Sequence, residues 1–310
     1  RIQIAEASGV KIVELVERDI KPSDILTRAA FENAIKVLMA TGASTNLVIH
    51  LVAMAHRAGV PLTIDDFNPI SDETPFITNV KPSGEYTVEE LYHAGGIAAV
   101  MKEIEPLLDT SVMTATGQAL GENLKNVRVR NRDIIRPLSN PLQPNGGLRV
   151  LRGSLAPAGA VIKTAAASPN LLKHVGPAAV IKSRKQEDID RDFAHITQDH
   201  VIINRNMGPV GAPGMPEVGP AGLPRHLLRQ GVRDMVRITD ARMSGTSYGT
   251  VVLHVAPEAA IGGPLAVVQD GDMIELDAEK GVLNVLVDER EIQRRLAAWT
   301  PPAPKYTKGY

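Results

Sequence analysis

Two segments carry residue types that could do chemistry. The first runs from Thr239 to Gly249 and directly follows an apolar stretch. It holds Asp240, Arg242, Ser244, Thr246, Ser247 and Tyr248 among small residues. A serine in a tight turn can act as a nucleophile or a base, provided that something lowers the proton affinity of its hydroxyl. Arg242 stands where the hydrolase nucleophile elbow has its first glycine, so the segment is not that elbow. On the residues alone, a polar turn whose hydroxyls satisfy backbone groups is the simpler reading. The second segment runs from Asn204 to Glu217 and is rich in glycine and proline. Such a loop lets backbone approach a ligand closely. Glu217 closes it, where a carboxylate could hold a hard cation such as Mg²⁺ or merely favour the start of a helix.

Other chemistry is excluded or unsupported. Cysteine is absent, which removes disulfides, zinc–thiolate sites and a cysteine nucleophile. No P-loop and no metalloprotease helix motif occurs. Gly208, Gly211 and Gly214 have the wrong spacing for a dinucleotide fingerprint. His195 and His200 are five apart, off a common helical face, and read as structural. With a formal net charge of -1, there is no basic surplus for a nucleic-acid backbone. The cluster Arg128, Arg130, Arg132 and Arg136 reads as a solvated face or loop. No apolar run reaches the ~20 residues that cross a bilayer, and Arg1 to Val10 lacks a signal-peptide core. A soluble cytoplasmic protein without a membrane partner is expected.

The elements that must position these segments differ between the two halves. The 310 residues suffice for two domains. With 3% aromatic residues, the core must be built from Ala, Val, Leu and Ile. The first half reads as helical: Ser23 to about Met39, a buried helix from Asn46 towards Gly59, Thr87 onward behind a capping box, Ile97 to Leu108, and Thr116 to Leu124. Val60 to Ile64 reads as a short strand. A turn-rich linker lies near residue 140. After it come short β-rich runs at 148–151, 160–163, 178–181, 200–203, 235–238, 250–255, 273–276 and 282–287. Gly and Pro punctuate them, which suggests a barrel or curled sheet, with helices near 187–196 and 222–230. The tail 300–304 should be extended at the surface. The chain starts without Met and ends abruptly, so a segment of a longer protein is expected.

Taken together, the segments resemble the dihydroxy-acid and sugar-acid dehydratases, the IlvD/Edd family. The resemblance is carried by ordered blocks: Thr41 to Asn46, His56 to Gly59, Lys81 to Gly84, His93 to Gly96, Gly146 to Pro157, Gly208 to Glu217, Thr239 to Thr246 and His254 to Ala259. It implies an α/β protein in two parts. Residues 1–140 would be the C-terminal part of a cluster-bearing α/β domain, and 141–310 a swivelling β-barrel domain with flanking helices. It implies a hydro-lyase that dehydrates a 2,3-dihydroxy carboxylate to a 2-oxo-3-deoxy acid. Ser244 would be the base and Thr246 its companion hydroxyl. Ser44, Thr45, Lys81, Ser83 and Tyr248 would contact substrate, and Glu217 would bind Mg²⁺. An iron–sulfur cluster, 2Fe-2S or 4Fe-4S, would serve as Lewis acid, held by cysteines outside this chain. These 310 residues alone would then be inactive. A homodimer or homotetramer acting on a small-molecule acid is also implied. The Ser244-Gly245-Thr246 form, with Tyr248 and the tail from Trp299 to Pro304, resembles the sugar-acid branch and a pentonate substrate more than the branched-chain dihydroxy-acid enzymes, which usually read Ser-Gly-Gly. The alternatives are a branched-chain dihydroxy-acid dehydratase, a non-catalytic swivelling-domain subunit, and a serine hydrolase that pairs Ser244 with His254.

Overall fold

The structure is a computed structural model that describes residues 2–214, 216–218 and 222–304. The chain divides into two compact units. One comprises residues 1–41 and 47–146, the other 42–46 and 147–310. No helix among the described residues is long and apolar enough to cross a membrane.

The first unit is built of helices: α1 (Ile2–Glu17), α2 (Pro22–Ile25), α3 (Arg28–Thr41), α4 (Asn46–Arg57), α5 (Phe67–Glu73), α6 (Val88–His93), α7 (Gly96–Glu103) and α8 (Leu120–Leu124). On α3 the apolar residues Phe31, Ile35, Leu38 and Met39 recur at helical spacing and are buried. Ile77, Leu91, Ala99, Val100, Ile104 and Ile135 form the neighbouring core. At the start of α6, Glu90 N–H donates to Thr87 Oγ1 (3.2 Å) and Thr87 N–H to Glu90 Oε2 (2.7 Å), which closes the expected capping box.

Several expectations for this unit need correction. The helix expected from Ser23 to Met39 is two helices. Pro22 opens α2, and the Thr27 hydroxyl accepts from Ala30 N–H to start α3 anew. Val60 to Ile64 is not a strand. Pro61 lacks an N–H, and Thr63 N–H turns back to Asp66 Oδ2 (2.7 Å), so the segment enters a 3₁₀ turn. The helix α4 is not buried all round, since Leu47, Ala53 and Met54 are exposed. The helix from Thr116 shrinks to α8, because Thr114 to Gln118 closes as a turn. The Arg128, Arg130 and Arg132 side chains lie exposed on a loop, as expected, whereas Arg136 is half-buried.

The second unit is an eight-stranded mixed sheet: β1 (Arg149–Leu151), β2 (Gly159–Ile162), β3 (Lys173–Val180), β4 (Val201–Asn204), β5 (Arg237–Thr239), β6 (Val251–Ala256), β7 (Met273–Asp277) and β8 (Val282–Val285). Their spatial order is β1-β2-β6-β5-β4-β3-β7-β8. A bridge between Arg152 and Val282 joins the two ends, so the sheet is nearly closed, like a barrel. All eight strands coincide with β-rich runs read in the sequence, with ends shifted by a few residues.

Strand alternation explains the two apolar layers. Ala178, Val180, Val201, Ile203, Ile238, Val252, Ile274 and Leu283 belong to one core. Ala179 and Ile202 face the opposite way. They pack with Ile189 of α9 (Gln186–Asp192), with Phe193 and Ile196, and with Leu227 of α10 (Arg225–Arg229). A final helix, α11 (Glu289–Ala298), packs Ile292 and Leu296 against the first core. Asp288 caps it by accepting from Arg290 N–H (2.8 Å).

Candidate active site

Strands β4 and β5 are parallel neighbours, in register at Asn204 and Thr239. The two segments with chemical potential leave the same end of these adjacent strands, where open α/β sheets commonly bind ligands. Asp240 ties them together. Its buried carboxylate accepts from Asn206 N–H (3.2 Å), Met207 N–H (2.9 Å) and Ala259 N–H (2.9 Å). Burial pushes its pKa up, and the three N–H donors partly oppose that. Glu258 holds the same loop further along, accepting from Val210 N–H (2.8 Å) and Gly211 N–H (3.0 Å). Gly208 packs so closely on Glu258 that a Cβ there would come within 2.5 Å of its Oε2.

The segment from Asp240 to Thr250 crosses from the end of β5 to the start of β6. Ser244 lies at its turn, where Ser247 N–H donates to the Ser244 carbonyl (3.0 Å). The Ser244 and Thr246 hydroxyls are 3.0 Å apart, and Thr246 N–H points to Ser244 Oγ at 3.4 Å. Both contacts of Ser244 Oγ are to Thr246, so no imidazole among the described residues engages it. The hydrolase pairing with His254 is not formed in this structure.

The far end of the crossing is anchored by Asp234. Its carboxylate accepts from Thr250 N–H (2.8 Å), Thr250 Oγ1 (2.7 Å), Ser168 Oγ (2.8 Å) and the Arg237 guanidinium (3.1 Å). Gly249 N–H donates to the Ala166 carbonyl (2.9 Å). Lys163, at the end of β2, donates from Nζ to the Gly245 carbonyl (3.0 Å). It is only 1% exposed, and burial pushes its pKa down to about 8.

The short segment 42–46 belongs to the barrel unit although helices flank it in sequence. The side-chain amide of Asn46 donates to Glu217 Oε1 (2.5 Å) and to the Met243 carbonyl (3.3 Å), while Arg242 Nε donates to Asn46 Oδ1 (3.0 Å). Arg242 also lies 3.7 Å from Glu217. Ser44 approaches Gly245 so closely that a Cβ there would be 3.2 Å from Ser44 Cβ. Thr45 is buried, and its hydroxyl has no hydrogen-bond partner among the described residues.

Ser44, Thr45, Glu217, Ser244 and Thr246 therefore all lie in the barrel unit, with Glu217 linked through Asn46 to Met243. Tyr248 is on the same crossing, with an exposed ring. Lys81 and Ser83 lie in the other unit, on the turn between Val80 and Tyr86. Helix α10 begins at Arg225, so Glu217 does not cap it. Sequence reasoning missed Lys163, Asn46, Arg242, Asp240 and Glu258 as members of the site. Asp240 and Arg242 stood in the segment singled out but were given no role there, and for Lys163 the signal was a lysine directly after the apolar run Gly159–Ile162.

The residues present do not fit an iron–sulfur cluster, which needs thiolates, because the chain has no cysteine. Glu217 fits as one oxygen ligand to a hard cation and not as a site. No group of three or more His, Asp or Glu that could hold a metal occurs among the described residues.

Comparison with known proteins decides the family. Residues 133–310 match the C-terminal model of the dihydroxy-acid/6-phosphogluconate dehydratases, and residues 1–123 the N-terminal one. The chain belongs to this family. It is 50% identical to an L-arabonate dehydratase of Azospirillum brasilense over 98% of this chain and 53% of that protein. It is 47% identical to a dihydroxy-acid dehydratase of Acetivibrio thermocellus over 100% of this chain and 56% of that protein. It is 46% identical to a 6-deoxy-6-sulfo-D-gluconate dehydratase of Pseudomonas putida over 99% of this chain and 54% of that protein. The chain thus spans about half the length of the curated relatives that it matches.

Proposed function

We propose that the enzyme containing this chain is a hydro-lyase that converts a sugar acid, a pentonate, to its 2-oxo-3-deoxy acid, with Ser244 as base. The observation that carries the reading is the Ser244–Thr246 hydroxyl pair on a turn held by Asn46 at the Met243 carbonyl and by Lys163 at the Gly245 carbonyl. Ser244 Oγ takes the C2 proton, and the released electron pair forms the C2–C3 double bond. The C3 hydroxyl departs and leaves as water by taking from Ser244 the proton that came from C2. The enol then becomes the 2-oxo acid. A serine hydroxyl is a weak base at its free pKa, so the turn must stabilise the alkoxide. Thr246 N–H points to Oγ, and the Thr246 hydroxyl, 3.0 Å away, can donate to Oγ once that oxygen is an alkoxide.

Glu217 is proposed as one oxygen ligand of Mg²⁺, which when bound supplies positive charge to the substrate carboxylate. Asn46 and Arg242 orient the Glu217 carboxylate. Ser44, Thr45, Lys81, Ser83 and Tyr248 are proposed to contact substrate. The division at residue 140 is proposed as the boundary between the cluster-bearing part and the barrel part.

The similar identities to sugar-acid and branched-chain enzymes leave substrate choice to the residues. The hydroxyls of Thr246 and Tyr248 suit a polyol chain, which a site that hydrogen-bonds hydroxyls selects strongly over an alkyl group. Turnover by the enzyme containing this chain, measured on a panel of aldonates and on 2,3-dihydroxyisovalerate, tests this. Reaction with the branched-chain acid alone sinks the substrate assignment. Ser244→Ala with near-native turnover sinks the base assignment.

A further inference from the structure

Lys163 holds the serine turn at the Gly245 carbonyl, and the dehydration scheme gives its charge no part. It is among the largest fully buried side chains, at 1% exposure, and no carboxylate among the described residues pairs with it. An unpaired buried ammonium is costly, so an apolar residue would serve the barrel better. The charged groups on the surrounding elements are engaged elsewhere. Asp234 holds Arg237, Ser168 and Thr250; Asp240 holds the Asn206, Met207 and Ala259 amides; Arg242 reaches Asn46 and Glu217. The hydrogen bond that Lys163 makes is to the Gly245 carbonyl, at 3.0 Å.

That carbonyl and the Thr246 N–H belong to one peptide group, and the Thr246 N–H points to Ser244 Oγ at 3.4 Å. The order is ammonium, Gly245 carbonyl, Thr246 N–H, serine oxygen. A cation on the carbonyl polarises the peptide and strengthens its N–H as a donor. The same contact fixes the middle of the turn.

We propose that Lys163 is a positioning residue for Ser244, its ammonium acting through the Gly245–Thr246 peptide to stabilise negative charge on the serine oxygen. This rests on the reading of Ser244 as base. No proton passes along the peptide; the relay is electrostatic, and Ser244 still exchanges its proton with the substrate.

The test uses the active enzyme that contains this chain, with Lys163→Met, Lys163→Arg and Ser244→Ala. Loss of the cation raises the proton affinity of the serine. Lys163→Met is therefore expected to move the acid-side limb of the kcat–pH profile up by about one pH unit, a tenfold loss below the limb. KM should stay within about threefold, because ground-state binding is untouched. Lys163→Arg keeps the charge and should keep the native limb. Independently of turnover, hydrogen exchange at the Thr246 and Ser247 amides should quicken in Lys163→Met and not in Lys163→Arg. Native kcat and limb in Lys163→Met, with Ser244→Ala inactive, overturn the proposal and leave the base assignment standing. Retained turnover in Ser244→Ala overturns the base assignment itself. If Lys163→Met does not fold, Lys163→Arg decides: a native limb supports the relay, and a limb displaced upward overturns it.

Discussion

Removing Asp234 should unfold the barrel more readily than any surface change, because its carboxylate gathers so many buried donors. The Asp234 and Arg237 side chains are 9% and 10% exposed and lie 3.1 Å apart. Removing one partner of a buried pair costs about 3–5 kcal/mol. The Thr250 N–H and the Ser168 and Thr250 hydroxyls would lose the same acceptor. Asp234→Ala is thus expected to cost about 4 kcal/mol, and Asp234→Asn less, since an amide oxygen still accepts. The assay is built into the chain. Its single tryptophan, Trp299, packs on the barrel core, so fluorescence during urea unfolding reports this unit and not the helical one. For a unit of this size, each kcal/mol moves Tm by about 2–4 °C, so Asp234→Ala should melt about 8–16 °C lower. In a double-mutant cycle with Arg237→Ala, the two effects should be far from additive. A cost below about 1 kcal/mol for Asp234→Ala would refute the argument that this carboxylate anchors the crossing.

Gly208→Ala should destabilise the barrel by about 1–3 kcal/mol by the same fluorescence assay, because the added Cβ meets Glu258. Unchanged stability would mean that Glu258 can move aside. Gly153 has φ of 155°, and a Cβ there would stand 2.1 Å from the Leu283 carbonyl oxygen, so Gly153→Ala should disturb the closure between β1 and β8 and lower Tm clearly. Lys163 gives a pH dependence with a definite sign. Its folded pKa is depressed to about 8 from an ordinary 10.5. The unfolded chain then binds more protons between these values, so barrel stability should rise with pH across that window, by up to about 3 kcal/mol, and fall as pH drops through 8. Subtracting the profile of Lys163→Met isolates this share, and coincident profiles would remove it.

The sequence determined what depends on local pattern and residue type. Short β-branched runs broken by Gly and Pro foretold all eight strands, because a strand buried on its inner face must alternate and must end where the backbone turns. The Thr87–Glu90 box started α6 where expected, since its bonds span three residues. Ser244, Thr246 and Glu217 were legible as residues able to do chemistry, from type and loop context. Where a local competitor intervened, as at Pro22, Thr27 and Pro61, the expected elements broke or vanished.

Tertiary structure decided the rest. That Asn46 meets Glu217 and Met243 could not be read from positions 171 and 197 residues apart. Nor could the burial of Lys163 against the serine turn, since composition alone sends lysine to the surface. Asp240 and Glu258 read as ordinary carboxylates until the strand order brought the Asn206–Gly211 backbone onto them. Closure of the barrel rests on Arg152 meeting Val282, a pairing between the first and last strands. Period and propensity act over a few residues, whereas the partners of a buried charge or a sheet edge are set by which distant segments the hydrophobic core draws together.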